Sequence, residues 1–307
     1  MNLLKRKKDF KECSEIWLGS QRYSVKESTL SHYYDIVENH LIPRFGEVPI
    51  DKFEAKDLIN FNNYLLEHGN KKNDGGLSPK TVRDIDVILH QILKFHGVDI
   101  RVKGPKIAKK AIAILDKSEQ RKIESYVSAH LNSYNAGIII SLNTGLRIGE
   151  VCALKWEDVD FDENVIYVRK TILRVKDINN PNKSKVIIDR PKTDAAVRWV
   201  PINRKLEYVL RKIKSKPSHY ILTDSPKFID PRNYYDRYRT ILKKLDIDNY
   251  NYHILRHTFA TRCIEVGADS TSLSEMLGHI SIKTTLSLYV HPTVESKRKF
   301  LDKICDL

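Results

Sequence analysis

Apolar residues recur every three or four positions through much of the first hundred residues, which is the spacing of one helix face. In one such run Leu30, Val37 and Leu41 share a face, and Pro43 is expected to end the helix. Aromatic residues interleave with this stripe, and a packed core accounts for them better than stacking on nucleic-acid bases.

Two further helices are predicted in the same region. The run from Ala55 to Leu66 has one apolar face, and Ser78 followed by Pro79 is a favourable start for the next helix. Three or four such helices form a small bundle. At the start of the last one, Lys80 and Arg83 either contact a phosphate backbone or are simply solvated.

A basic segment follows the bundle, with no acidic residue between Arg101 and Ile112. It contains Gly104-Pro105, and we interpret residues 99–112 as a linker. Such a segment either lies along a phosphate backbone or is an exposed hinge. Its basic residues are Arg101, Lys103, Lys106, Lys109 and Lys110.

The pattern changes in the second half of the chain. Apolar residues 136–142 predict a buried helix that ends near Gly145, and a new helix is expected to start with Arg147. Segments 159–171, 185–188 and 197–202 are rich in β-branched residues, which predicts three strands of a small antiparallel sheet. Residues 191–194 are expected to form the turn between the second and third strands. Helices are predicted again at 204–212, at 233–245 and through 253–291.

Length and charge bound the possible functions. The chain has 307 residues, which favours two domains. Lysine and arginine exceed aspartate and glutamate by 53 − 39 = 14. A basic excess of this size favours a polyanionic partner such as nucleic acid, although a merely soluble cationic protein has the same charge.

Other compositional signals are negative. The four cysteines are far apart and form no C-x-x-C pair, which favours reduced thiols and no zinc framework. No apolar run is long enough for a signal peptide or a membrane span. We therefore expect a cytoplasmic protein without membrane contact.

Two arginines are candidates for binding a phosphodiester. The transition state of phosphodiester cleavage carries negative charge on its non-bridging oxygens, and the planar, permanently charged fork of arginine suits that charge. Arg147 and Arg256 are the candidates. The alternative for each is a surface salt bridge. Glu150 lies three residues after Arg147 and is expected to support it.

Tyr289 is the candidate nucleophile. A phenol has a pKa of about 10, so it needs a general base, and His253 is the candidate. The alternative for Tyr289 is a core tyrosine, because it shares a helical face with Ile282 and Leu286.

His279 follows Leu277-Gly278, where glycine is expected to end a short helix. It either binds the phosphate or the tyrosine, or simply faces a helix dipole. His253 and His257 have the spacing of a zinc pair, but no H-E-x-x-H pattern or cysteine cluster completes a site, so no metal is expected.

Taken together, these residues and their motifs resemble the tyrosine recombinase (phage integrase) family. The resemblance is weak over the N-terminal bundle and strong from Ser118 onward. The residues that carry it are Arg147 in T-G-L-R-I-G-E, Lys192 in P-K-T, His253 and Arg256 in H-I-L-R-H-T, His279 in L-G-H and Tyr289 in T-T-L-S-L-Y.

The resemblance implies a mainly α, two-domain fold. Residues 1–98 would be an N-terminal helical bundle, the SAM-like core-binding domain that contacts DNA. Residues 113–307 would be an α+β catalytic domain with a small three-stranded antiparallel sheet and a C-terminal tail that docks on a neighbouring protomer. The chain looks similar to Xer-like and small mobile-element recombinases, without an arm-binding domain.

The resemblance also implies a chemistry. Tyr289 would form a 3′-phosphotyrosine on double-stranded DNA, Lys192 would protonate the leaving 5′ oxygen, and two rounds of exchange would pass through a Holliday junction in a homotetramer. Neither cofactor nor ATP would be needed. Accessory DNA-bending or directionality factors would be further partners.

Two alternative functions stay open. A type IB topoisomerase would use Tyr289 in the same way but reseal the same strand. A non-catalytic DNA-binding regulator would keep the fold without needing the tyrosine. The target sequence and the direction of the reaction do not follow from the sequence.

Overall fold

The computed structural model describes residues 8–71, 73, 75–108, 112–178, 180–190 and 194–289. The chain divides into two compact units. Unit 1 comprises Met1–Lys110 together with Val175–Lys185, and unit 2 comprises Ala111–Arg174 and Val186–Leu307. Within the described ranges, no helix has both the length and the apolar character needed to cross a membrane.

Unit 1 is a helical bundle around an aromatic core. The rings of Phe10, Phe45, Phe53 and Phe61 lie 4.8–6.0 Å apart between centroids. Ser78 caps the last helix as predicted, because its Oγ accepts the Thr81 N–H at 3.1 Å. The helices are α1 Phe10–Gln21, α2 Glu27–Ile36, α3 Ile42–Phe45, α4 Ala55–His68 and α5 Pro79–Phe95.

The prediction that Pro43 ends a helix is wrong. Helix α2 continues through a π-helical turn, Val37–Leu41, directly into α3, of which Pro43 is the second residue. The Ile42 N–H donates to the Val37 carbonyl, five positions back. Proline lacks an N–H, and its ring crowds the carbonyl one turn earlier in an α-helix. The wider π turn lies where that crowding would occur, so the helical run continues.

The end of the bundle and the start of the predicted linker pack against the core of unit 1. Val98, Ile100 and Val102 are partly buried against its core. The alternating residues Arg101 and Lys103 are exposed. This segment is therefore extended, with apolar side chains facing the bundle and basic side chains facing solvent.

Unit 2 is a larger α+β unit. Helix α7 is buried on nearly all sides, which agrees with the uninterrupted apolar run that predicted it. The helices are α6 Lys117–Ala129, α7 Ser133–Thr144, α8 Ile148–Ala153, α9 Arg204–Ile213, α10 Pro231–Lys244, α11 His253–Glu265, α12 Ser270–Leu277 and α13 Ile282–Tyr289. The strands are β1 Val159–Asp160, β2 Val165–Val168, β3 Thr171–Asp177, β4 Asn180–Asp189 and β5 Arg198–Pro201.

The predicted antiparallel sheet exists, but its strands differ from the prediction. The single strand expected at 159–171 is interrupted at 161–164, where the Asp160 carboxylate accepts two backbone N–H groups and Asn164 has a φ of 52°. The resulting three-stranded sheet has the order β1-β2-β5, with Ile166 of β2 opposite Val159 and Val200. The segment expected as the second strand, 185–188, belongs instead to β4, which pairs with β3 in a separate two-stranded sheet.

The tip of the β3–β4 hairpin groups with unit 1. The Ser31 hydroxyl donates to the Lys176 carbonyl at 3.1 Å and accepts the Lys176 N–H at 2.9 Å. Lys176 Nζ also lies 3.1 Å from the Asp35 carboxylate. A turn was predicted at 191–194, and residues 191–193 lie outside the described residues.

Candidate active site

The site begins where α7 ends. Gly145 closes α7 with a φ of +67°, and a Cβ atom there would lie 2.6 Å from a Phe259 ring carbon. Both the backbone conformation and the packing therefore require glycine. Arg147 follows as the N-cap of α8, so the helix begins at Ile148, one position after the start that was predicted.

Arg147 is bound to Glu150 at two points. Its backbone N–H donates to Glu150 Oε2 at 2.9 Å, and its Nη1 donates to Oε1 at 2.8 Å. The Arg147 side chain is 38% exposed, whereas that of Glu150 is 4% exposed. Within the described part of the chain, Nε and Nη2 of Arg147 make no hydrogen bond. The predicted support of Arg147 by Glu150 is therefore present, and the Arg147 side chain is partly exposed.

A second arginine, Arg198, holds the other side of Glu150. Its Nη1 and Nη2 donate to Oε1 and Oε2 of Glu150 at 3.2 and 3.0 Å. Burial by itself would raise the pKa of Glu150, but Arg198 and then Arg147 offset this, and the pKa lies below its usual value. Glu150 is therefore an ionised carboxylate between two guanidinium groups.

Arg198 was missed in the sequence analysis, although the sequence contained a signal for it. Ala196, Arg198, Val200 and Ile202 alternate along β5 and its flanks, and all four are buried. An arginine on the inward face of such a strand needs a buried acceptor. The acceptor, Glu150, is 48 positions away in the chain, so the pair could not be recognised from spacing.

Arg256 lies beneath the surface of the same site. It is 1% exposed, and its Nη1 donates to the Gly145 carbonyl at 2.8 Å. Its Nη2 contacts the Leu277 carbonyl and His279 Nε2, both at 2.8 Å. Arg256 thereby joins the loop before Arg147 to the end of α12. The alternative of a surface salt bridge is wrong for this residue, because it is buried against carbonyl groups.

His279 directly follows α12, which Gly278 ends in the left-handed conformation, as predicted. Since arginine can only donate, His279 Nε2 must be the acceptor of the bond from Arg256. Nδ1 then carries the proton and donates to Thr285 Oγ1 at 2.8 Å. Burial, followed by the charges of Arg256, Arg147 and Arg198, lowers the pKa of His279 to about 4. His279 is therefore neutral at physiological pH.

His253 opens α11 beside His257, with ring centroids 4.7 Å apart in an edge-to-face arrangement. Partial burial of its ring, then the charges of His257, Arg256 and Arg147, lower the pKa of His253 to about 4. The residue as a whole is still exposed. An exposed, neutral imidazole near two arginines is available as a proton acceptor.

Tyr289 is the last residue of α13, and its side chain lies outside the described residues. Thr285, one turn earlier on α13, is fully buried and bonded to His279. The apolar face that raised the possibility of a core tyrosine is not buried, since Ile282 and Leu286 are 38% and 40% exposed. The exposure of these two residues therefore gives no support to the interpretation of Tyr289 as a core tyrosine.

The remaining predicted residues have different positions. Lys192, Lys109 and Lys110 lie outside the described residues. Lys80, Arg83, Arg101, Lys103 and Lys106 are all exposed and belong to unit 1. No cluster of three or more His, Cys, Asp or Glu side chains capable of holding a metal occurs in the ranges that the structure describes.

Two family models match the chain. The model described as the phage integrase family matches residues 109–296, which include every predicted catalytic position. The model described as the phage integrase N-terminal SAM-like domain matches residues 9–66.

Curated relatives are similar over nearly the whole chain. A XerC-like tyrosine recombinase from Caldanaerobacter subterraneus subsp. tengcongensis is 29% identical, over 93% of this chain and 80% of its own length. The ICEBs1 integrase of Bacillus subtilis is 26% identical, over 98% of this chain and 84% of its own.

Solved structures show the same fold. The Tn1549 transposon integrase in complex with transposon right end DNA is similar with a TM-score of 0.78 and 22% identity, over 97% of this chain and 99% of that one. A lambda integrase tetramer bound to a Holliday junction has a TM-score of 0.67 and 14% identity, over 93% and 78%. Since the phage integrase model matches more than half of the chain, including the residues around Arg147, Arg256 and His279, and a second model matches the first part of the helical bundle, the chain belongs to the phage integrase family of tyrosine recombinases.

Proposed function

We propose that this protein recombines double-stranded DNA at specific sites, with Tyr289 as nucleophile and the Arg147–Arg256–His279 cluster as the phosphate site. One observation carries the proposal. Arg256 bonds both to the Gly145 loop that leads to Arg147 and to His279, so groups from three separate elements form one cationic site. A non-catalytic DNA-binding regulator has no need of this arrangement.

The groups have distinct roles in the proposed first step. The partly exposed Arg147 side chain receives a non-bridging oxygen of the scissile phosphate. Arg256 is more deeply buried and donates to His279 Nε2. Because Nε2 accepts this bond, it carries no proton that it could donate to the substrate in this state. Direct contact of Arg256 with phosphate stays a prediction, because it requires a buried guanidinium to be uncovered.

Bond formation and proton transfer balance within this set. The Tyr289 oxygen attacks phosphorus while His253 takes the phenolic proton. The bond from phosphorus to the 5′ oxygen breaks, and Lys192 protonates that oxygen. The lowered pKa of His253 keeps it unprotonated at neutral pH, and a bound phosphate would raise that pKa towards the range of an efficient base. Rejoining runs through the same steps in reverse with the hydroxyl of the partner strand.

Exposed basic residues of unit 1 are proposed to hold the duplex. Gly104 of the extended segment lies against α5, because a Cβ atom built on it would be 3.3 Å from Asp86 Oδ2 and 3.7 Å from Arg83 Nε. Lys103 is next to Gly104 and, like Arg83, is exposed, so these two cations lie near each other on unit 1. Phosphate contacts of this kind position a protein on DNA without reading its sequence.

Assembly and biological role are proposed from the relatives. The lambda integrase structure is a tetramer on a Holliday junction, and the relatives include integrases of mobile elements. We propose the same assembly and the integration or excision of a mobile element for this protein. A cytoplasmic location and accessory DNA-bending or directionality factors stay predictions.

Trapping of a covalent intermediate tests the proposal. The substrate is DNA that flanks the gene, with a nick beside the expected cleavage site. Cleavage then releases a short fragment with a free 5′ hydroxyl, which diffuses away and leaves the protein covalently attached to the DNA. We expect a covalent adduct on a denaturing gel with the wild type and with Tyr208→Phe, and none with Tyr289→Phe. Tyr208 is a suitable control because it is a tyrosine that is 60% exposed on α9 and is not one of the residues that form the proposed site.

The competing functions predict other results. A type IB topoisomerase would relax plasmids without a preferred site and would reseal only the cleaved strand. A regulator would bind the DNA tightly and form no adduct on substrates from either boundary of the element. An adduct that persists in Tyr289→Phe would mean that another residue is the nucleophile.

A further inference from the structure

Arg198 contacts two of the helices that build the site, α8 and α12, and none of the predicted catalytic roles includes it. It is 7% exposed on β5. Its Nη1 and Nη2 hold Glu150 of α8, while its Nε donates to the Met276 carbonyl in the last turn of α12 at 2.6 Å. Its Nη1 also donates to the Ala196 carbonyl at 3.0 Å, in the helical turn that precedes β5.

The packing around Gly278 shows that this position is closely filled. A Cβ atom on Gly278 would lie 3.0 Å from Arg198 Nη1 and 3.2 Å from Cζ. The guanidinium therefore lies directly against the residue that precedes His279. Gly278 also has a φ of +64°, so the turn that sets the direction of His279 combines a left-handed backbone with contact to Arg198.

Among the described residues, the side chain of Glu150 bonds to only two other side chains, those of Arg147 and Arg198. Without Arg198, Arg147 would be the only side chain that holds the Glu150 carboxylate in place. The planar guanidinium of Arg198 donates to both carboxylate oxygens of Glu150. Its Oε1 and Oε2 then present fixed acceptors to the side chain and backbone of Arg147.

We propose that Arg198 is a positioning residue for strand cleavage, which sets Arg147 through Glu150 and sets His279 through the end of α12. This inference rests on the proposed function. Arg198 does not touch the substrate. It fixes the positions of the phosphate-binding Arg147 and of His279 relative to each other. The loss of Arg198 therefore slows cleavage, while DNA binding by unit 1 persists.

Two substitutions test the proposal by covalent trapping under single-turnover conditions. Arg198→Lys keeps the charge but has no planar fork, and Arg198→Gln removes both. We expect a fall in the trapping rate of at least 100-fold for Arg198→Gln and at least 10-fold for Arg198→Lys. The dissociation constant for the same DNA should change less than threefold.

Arg169→Gln is the matched control. Arg169 is also bonded to a buried carboxylate, Asp158, at 2.7 Å, and to Glu157 at 3.1 Å, but it has no contact with Arg147, Glu150 or His279. We expect its trapping rate to stay within threefold of the wild type. An equal fall in both glutamine variants would mean that losing any arginine paired with a buried carboxylate slows the reaction, which would overturn the proposal.

A second measurement separates positioning from general stability and does not depend on cleavage. The titration of His279, assigned by NMR through loss of its signal in His279→Gln, should move to higher pH in Arg198→Gln. The reason is that Arg198 is one of the charges that lower the pKa of His279. The titration should not move in Arg169→Gln.

The outcomes distinguish the two proposals. If the wild type forms no adduct on any substrate, the proposed function fails, and the His279 titration still decides whether Arg198 is coupled to the site. If Arg198→Gln does not fold, Arg198→Lys decides by its trapping rate. The inference would be overturned if a folded Arg198→Gln protein formed the adduct at the wild-type rate and its His279 titrated at the same pH as in the wild type.

Discussion

The protonation state of His279 follows from its two hydrogen bonds. Nε2 accepts from Arg256 and Nδ1 donates to Thr285, so a second proton on the ring would break the bond to Arg256 and place two cations side by side. Burial and the surrounding arginines act in the same direction, and the pKa falls to about 4. In the unfolded chain the same ring would titrate near 6.5.

This arrangement predicts how His279 responds to acid. Its folded-state pKa is below the unfolded value, so the unfolded chain binds the extra proton first as the pH falls. The contribution of His279 to stability is therefore complete above about pH 6.5 and is lost progressively down to about pH 4. NMR of the imidazole nitrogens should show a neutral ring with the proton on Nδ1 at pH 6. Titration near 6.5, or a proton on Nε2, would contradict the structure.

At the scale of secondary-structure elements, the junction between α7 and α8 places Arg147. Gly145 has a positive φ, its carbonyl accepts from Arg256, and its missing side chain makes room for Phe259 and Leu277. Gly267, after α11, has a φ of +87° with nothing near a built Cβ atom. The two glycines share a backbone requirement and differ in packing.

Their alanine variants should therefore differ in stability. Gly267→Ala is expected to lose about 1 kcal/mol, the cost of a left-handed backbone for a residue with a Cβ atom. Gly145→Ala should lose about 1–3 kcal/mol more, because its Cβ would overlap two core side chains. Urea unfolding of both variants measures the difference. Equal losses would show that the core around Gly145 relaxes without cost.

At the scale of the whole molecule, charge should govern DNA affinity. The net charge of +14 includes exposed basic residues along the extended segment of unit 1. Each lysine that neutralises a phosphate releases condensed counterions, which makes binding steeply dependent on salt. This effect depends on where each cation lies and not on the net charge alone.

The salt dependence therefore distinguishes contacting lysines from solvated ones. The logarithm of the DNA association constant falls linearly with the logarithm of the salt concentration. Lys103→Gln should make this slope less steep by about 0.9, the value for one lost phosphate contact. Lys56→Gln is the control, because Lys56 is an exposed lysine of unit 1 that is paired with Glu54 at 2.9 Å. Fluorescence anisotropy over a range of salt concentrations measures both slopes. Identical slopes for wild type and Lys103→Gln would exclude Lys103 from the interface.

The sequence by itself determined the features that depend on neighbours along the chain. Helix periodicity, the Ser78 cap, the Gly278 helix end and the pairing of Arg147 with Glu150 all lie within one or two turns. The motifs around Arg147, Arg256 and His279 also identified the family, because their residue types and order do not depend on the detail of packing.

Only the tertiary structure decided which groups meet across the chain. Arg198 reaches Glu150 over 48 positions and Arg256 reaches Gly145 over 111, and no spacing rule connects such pairs. The continuation of the helix through Pro43 and the assignment of β4 to a separate sheet were also decided beyond local propensity. A buried charge is stable only where the fold supplies its partner, so the burial of Arg198 and Arg256, and the neutral state of His279, are properties of the assembled unit.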